Sequence, residues 1–202
     1  DLAGNIQVLD GNSYFVYVTP PPPPAAATNF AGVALSTTVV QWTWNDVAIN
    51  EDGYRIIIGT NVIASLPPNT TWWYAVRSVN EISDTKVEVY NAYGTAVTTA
   101  APVYTLANVP LALTLVSVTS STIVVNWSPN SNPVGTNYAV HNSTSPSFLG
   151  LDQYTGTATS LSLANLLADT SYYLRVQAQN FGLIYTDYSL SLTGKTLPAP
   201  DT

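Results

Sequence analysis

Apolar and polar residues alternate in short runs along most of the chain. Two runs set the pattern: Thr37-Thr38-Val39-Val40-Gln41-Trp42 and Thr122-Ile123-Val124-Val125-Asn126-Trp127. Each is a β-branched stretch ending in Trp, and strand side chains alternate faces, so Thr38, Val40 and Trp42 share one side. An indole fills a large core volume and asks for one partner at its N–H. The recurrence of this unit predicts two copies of one architecture. Residues 25–107 form the first unit, with strands expected at Phe30–Leu35, Thr37–Trp44, Gly53–Ile58, Val62–Ser65, Thr71–Val76, Lys86–Ala92 and Val97–Leu106. Residues 108–202 form the second, with strands at Leu113–Val118, Thr122–Trp127, Tyr138–Asn142, Asp152–Thr155, Ser160–Leu163, Tyr172–Ala178 and Tyr188–Thr196. Seven short strands per unit, with turn signals every roughly 8 to 12 residues, predict an all-β chain of two β-sandwiches. No helical period emerges beyond one turn at most over Leu163–Leu167.

Residues 1–24 stand apart. Ile6 to Leu9 begins an extended segment, Asp10-Gly11-Asn12 interrupts it with a turn or bulge signal, and Ser13-Tyr14-Phe15-Val16-Tyr17-Val18 follows without a charge. A strand apolar on both faces seeks burial on both sides, and left bare it is a template for edge pairing. Pro20 to Pro24 form a stiff polyproline spacer of roughly 3.1 Å per residue. An isolated two-stranded hairpin is marginal in water. This arm is therefore expected either to pack on its own chain or to add a strand to a neighbouring subunit. The stiff spacer favours the neighbour. The residues expected at that subunit interface are Ile6, Val8, Tyr14, Phe15, Val16, Tyr17 and Val18.

Composition narrows the function. Charged residues are 8% of the chain, against roughly 25% in average globular proteins. Either neighbours in an assembly cover much of the surface or a hydroxyl-rich coat keeps an extracellular protein soluble. The net charge of -7 and the absence of any basic run exclude nucleic acid as the expected partner. There is no Cys, so neither disulfides nor thiolate metal sites are expected. No apolar run approaches the length of a membrane-spanning helix, and no membrane insertion is expected. The chain contains no Met and starts at Asp1, which fits a processed product or an excised fragment.

Catalytic chemistry finds little to work with. The one His, His141, falls in the middle of an expected strand, with no second His or Cys beside it for a triad or a metal. Asp46, Glu51 and Asp52 share a loop, but without the spacing of a Ca²⁺ loop a solvated turn is expected. The remaining acids are scattered, which argues against a glycosidase pair. No cofactor is expected. Trp72, Trp73 and Tyr74 are consecutive, so Trp73 points away from the other two. Trp73 is the candidate for an exposed aromatic contact, serving a subunit interface or a sugar. Asn69, Asn126 and Asn142 each begin an N-glycosylation pattern, the second inside a strand.

The second unit resembles a fibronectin type III domain. Ile123 to Trp127 matches that family's second-strand motif and Tyr138-Ala139-Val140 its third-strand tyrosine. Leu166, Thr170, Tyr172, Leu174, Val176, Ala178 and Asn180, with Gly182 after them, follow its sixth-strand signature. That resemblance implies a tyrosine corner in which the Tyr172 phenol bonds backbone near Leu166. The first unit is similar through Trp42, Tyr54, Val87 to Asn91, Gly94 and Val103 to Leu106, but its corner position falls at Ser83. A rival register runs its sixth strand from Trp72 to Asn80. The whole resembles tandem domains of a bacterial or archaeal surface protein, and Asp1 to Asn5 with the next strand is similar to the end of another such repeat. The sequence thus predicts a non-catalytic subunit of an extracellular filament or cell-surface stalk, homo-oligomeric through strand addition. The alternative is an adhesion or carbohydrate-binding spacer of a larger secreted protein, with a glycan as ligand.

Overall fold

The computed structural model describes residues 5–9, 12–16 and 20–201. Every element in it is a β-strand. They are β1 (Asn5–Leu9), β2 (Asn12–Val16), β3 (Thr28–Ala34), β4 (Val39–Asn45), β5 (Gly53–Ile58), β6 (Asn61–Leu66), β7 (Trp72–Val76), β8 (Ile82–Ser83) and β9 (Thr85–Asn91). There follow β10 (Gly94–Thr99), β11 (Val103–Tyr104), β12 (Leu111–Val118), β13 (Ile123–Ser128), β14 (Asn137–Ser143), β15 (Asp152–Gly156), β16 (Ser160–Leu163), β17 (Ser171–Gln179) and β18 (Leu192–Lys195). The chain divides into two compact units, one of Asp1–Phe30, Trp44–Thr71 and Thr85–Ala100, the other of Ala31–Thr43, Trp72–Asp84 and Ala101–Thr202.

In the first of these units, β1 and β2 pair antiparallel from Asn5 opposite Val16 to Leu9 opposite Asn12. A four-stranded sheet runs in the order β10-β9-β5-β6. Tyr54 and Ile56 on β5 and Val87 and Val89 on β9 are fully buried, as the alternation of those runs requires. Trp44 lies between Phe30 and Tyr54, with ring centroids 6.1 and 5.6 Å away. Across the strands, Arg55 donates to Glu88 at 2.8 Å and stacks over the Tyr90 ring at 4.0 Å. Of the two registers open for the sixth strand, the structure takes Val87 to Asn91: β9 lies between β5 and β10, whereas Trp72–Val76 pairs with β4.

The second unit holds an antiparallel sandwich of two sheets, β12-β13-β16 and β15-β14-β17-β18. Ile123, Val125 and Trp127 from β13 and Leu163 from β16 meet Tyr138, Val140, Tyr172, Leu174, Val176 and Ala178 from β14 and β17 in one core. Every second residue of β13 and β17 points into it, so one register satisfies both sheets. In the same unit, Trp42 of β4 is fully buried and its indole Nε1 donates to Ser83 Oγ at 3.2 Å.

Two expected strands come out shorter. The run from Val97 to Leu106 is divided: β10 pairs with β9, whereas β11 pairs with β8. Pro102, which has no N–H to give a ladder, sits at the break. The run from Tyr188 to Thr196 reduces to β18. Just before it, the hydroxyls of Thr186 and Ser189 accept the N–H groups of Ala178 and Val176, both at 3.0 Å, where a regular strand would offer carbonyls.

Candidate functional site

His141 is 4% exposed in the middle of β14. Its ring faces Tyr188 at 5.0 Å, and Arg175 stands opposite it in the strand register. The Arg175 guanidinium lies between the Tyr188 ring at 3.6 Å and the Phe148 ring at 4.0 Å. Burial, and then the Arg175 charge, hold the imidazole below its ordinary pKa, so it is neutral at neutral pH. These groups form one packed stack. In the acidic loop, Asp46 Oδ1 accepts the Ala48 N–H at 3.1 Å, and burial, followed by Asp46 and Glu51, pushes the Tyr54 phenol upward. Among the described residues, no group of three His, Asp or Glu is placed to hold a metal ion.

Ile6, Val8, Tyr14, Phe15 and Val16 lie in the β1–β2 pair, which joins no other sheet among the described residues. Tyr17 and Val18 lie outside the described residues. The chain that follows is tied down. Pro22 O accepts Nδ2–H from both Asn50 at 2.9 Å and Asn91 at 3.1 Å, and Ala27 O accepts from the Thr98 hydroxyl at 2.7 Å. A Cβ on Gly94 would stand 2.9 Å from Pro23 Cγ, so the β9–β10 turn must be bare for the proline to lie on it. Asn91 also accepts the N–H groups of Tyr93 and Gly94, at 2.8 and 3.1 Å. Sequence reading missed Asn50, and it took Asn91 and Gly94 only as resembling the end of the sixth strand, without this anchoring role.

On β7, Trp73 is half-buried, while Trp72 and Tyr74 are exposed with ring centroids 5.1 Å apart. The expected exposed aromatic is thus on the other face. Trp73 stands opposite Trp42 in the register, and the side that buries Trp42 also takes Trp73. Of the three glycosylation patterns, Asn69 is exposed at a turn with φ 63°. Asn142 is 3% exposed, and Asn126, though exposed, is bonded to Thr114.

The Tyr172 hydroxyl accepts the Leu167 N–H at 2.9 Å, closing a loop of five residues just before β17. That corner, within the two-sheet sandwich, is what the resemblance implied one residue earlier. Residues 108–194 match the family model of the fibronectin type III domain. No curated protein matches the chain. Among solved structures, a two-domain fibronectin type III segment of chicken tenascin aligns with a TM-score of 0.58 at 14% identity, covering 87% of this chain and 99% of that one. The FN1–FN3 domains of chicken CNTN1 align at 0.42 and 20% identity, covering 87% and 68%. A domain of human fibronectin type III domain containing protein 3 aligns at 0.42 and 22%, covering 46% and 88%. The tenascin likeness shows the fold alone. Fibronectin type III domains are generally non-catalytic structural or binding modules, common in extracellular and cell-surface proteins. Among the described residues no helix is long and apolar enough to cross a membrane.

Proposed function

We propose that the chain is a non-catalytic structural subunit of an extracellular filament or surface stalk, built as two tandem fibronectin type III-like sandwiches, 25–107 and 108–202, behind an N-terminal arm, 1–24. Subunits join when the arm of one adds to a sheet edge of the next. One observation carries this reading: β1 and β2 make a two-stranded sheet that joins no other sheet among the described residues. Such a pair is marginal alone, and its outer edges carry unused N–H and C=O groups. Because the strand of Tyr14 to Val16 already pairs with β1, the arm offers the outer edge of a strand pair instead of a single strand. Its base is held at Pro22 by Asn50 and Asn91, so the arm leaves its own chain from a fixed point. Low surface charge fits a chain covered by its neighbours. Electron microscopy of the full chain and of a chain lacking residues 1–19 tests the reading. Filaments should form from the first and vanish in the second, and filaments that persist without the arm overturn it.

The exposed Trp72–Tyr74 pair supports a second reading, an adhesion or carbohydrate-binding spacer, because paired rings can stack on a sugar or anchor an interface. Saturable binding on a glycan array, lost in Trp72→Ala and kept without residues 1–19, would favour that reading over the first.

A further inference from the structure

Two of the edge strands of the second unit's sandwich, β15 and β16, flank one cleft. Among the described residues, β15 pairs only with β14 and β16 only with β13. All five residues of β15 are exposed, and the strand holds no Pro and no Lys, the usual guards of an edge. Between the two edges opens a cleft of about 280 Å³, lined among others by Trp127, Tyr138, Val140, Tyr154, Thr155 and Leu161. Its lining carries no charged residue. That volume falls below the roughly 300 to 1,000 Å³ of small-molecule pockets, and it suits an inserted side chain. Trp127, 7% exposed in the core, has an indole N–H without a hydrogen-bond partner among the described residues. A buried donor left unpaired is costly, and an acceptor brought into the cleft would relieve it.

We propose that this cleft receives the N-terminal strand pair of a second copy: β2 lies along the free edge of β15, with position 14 beside Tyr154 in the register. The inference rests on the arm-donation reading and names its acceptor. The occupant matches the site in length, since β1, β2 and β15 each have five residues. Neither arm strand carries a carboxylate, ammonium or guanidinium group, so the uncharged lining of the cleft meets no charge. Backbone pairing supplies the adhesion, and side chains of the added strand that enter the cleft fix the register.

The chain has no Cys, so an engineered pair reports without background. Tyr14→Cys combined with Tyr154→Cys in the full chain, oxidised under assembly conditions, should give a ladder of disulfide-linked copies on a non-reducing gel. Tyr14→Cys with Val97→Cys, on the exposed edge strand β10, should give none. Thr157→Cys, in an exposed link that also lines the cleft, replaces Tyr154→Cys if the latter alters the circular dichroism of the reduced protein. A disulfide closed within one chain, or a ladder through Val97→Cys, overturns the acceptor. Filaments without any ladder through the cleft also overturn it while leaving arm donation standing. A full chain that forms no filaments removes both.

Discussion

The side-chain oxygen of Asn80 accepts the backbone N–H of Phe181 at 2.7 Å, across 101 positions of sequence. Its amide nitrogen donates to Thr136 Oγ1 at 2.9 Å, and its own N–H donates to Leu106 O at 3.2 Å. From the other side, Asn180 donates to Thr105 O at 3.0 Å, and the Tyr104 and Phe181 rings meet edge-on at 5.8 Å. Asn80 is 1% exposed and sits at φ 52°, a region that Asn tolerates better than other residues with a side chain. Both residues are tied into one polar joint within the second compact unit.

Asn80→Gly keeps the left-handed backbone open and removes both side-chain bonds. At about 1 kcal/mol for each net hydrogen bond, the unit should lose about 2 kcal/mol in urea unfolding. An unchanged midpoint would mean that Thr136 and Phe181 find other partners at no cost.

The Tyr172–Leu167 bond and the Trp42–Ser83 bond each tie a buried aromatic to another segment of the chain. Tyr172→Phe leaves the ring and removes the acceptor of the Leu167 N–H, and Ser83→Ala leaves the Trp42 indole short of the bond it makes there. Each should cost about 1 to 2 kcal/mol of unfolding free energy, and a double variant should be additive because the two bonds join different residues.

Gly32 lies flat on the Trp42 indole. A Cβ there would stand 2.8 Å from the ring, and Trp42 is fully buried with no room to retreat. Gly32→Ala should destabilise by about 1 to 3 kcal/mol through overpacking. Gly156→Ala, with nothing within 4 Å of the added carbon, is the control and should stay within about 0.5 kcal/mol. Thermal melts of the two variants side by side check the contrast.

His141 makes stability fall in mild acid. Burial and the Arg175 charge lower its folded pKa, whereas in the unfolded chain it titrates near 6.5. Below that value the unfolded state binds more protons than the folded one, so stability is lost as pH falls from about 6.5 toward the folded pKa and is regained above it. Unfolding measured across this window should slope downward toward acid in the wild type. The slope should flatten in His141→Gln, where no ring remains to charge.

Alternation alone exposed the strands and their inward faces. Ile123, Val125 and Trp127 on β13, and Tyr172, Leu174, Val176 and Ala178 on β17, declare a two-residue period that any burying partner must respect. The tyrosine corner was legible only through the fibronectin type III resemblance, which placed it near Leu166; the structure closes it at Leu167, five residues before Tyr172. Parity likewise put Trp72 and Tyr74 on one face and Trp73 on the other. It could not say which face was inward: that follows from Trp73 standing opposite buried Trp42, a pairing between separate strands.

The remaining features depend on polar atoms far apart in the chain. Pro22 O meets Asn91 at a separation of 69, Trp42 meets Ser83 at 41, and Asn80 meets Phe181 at 101. An asparagine looks the same in the sequence whether it caps a turn, anchors a proline arm or joins two loops. Strand identity is set by neighbours two residues away, so the sequence by itself determined an all-β chain with a fibronectin type III pattern in its second half. Hydrogen-bond partners are set by which strands lie side by side, and only the tertiary structure decided those.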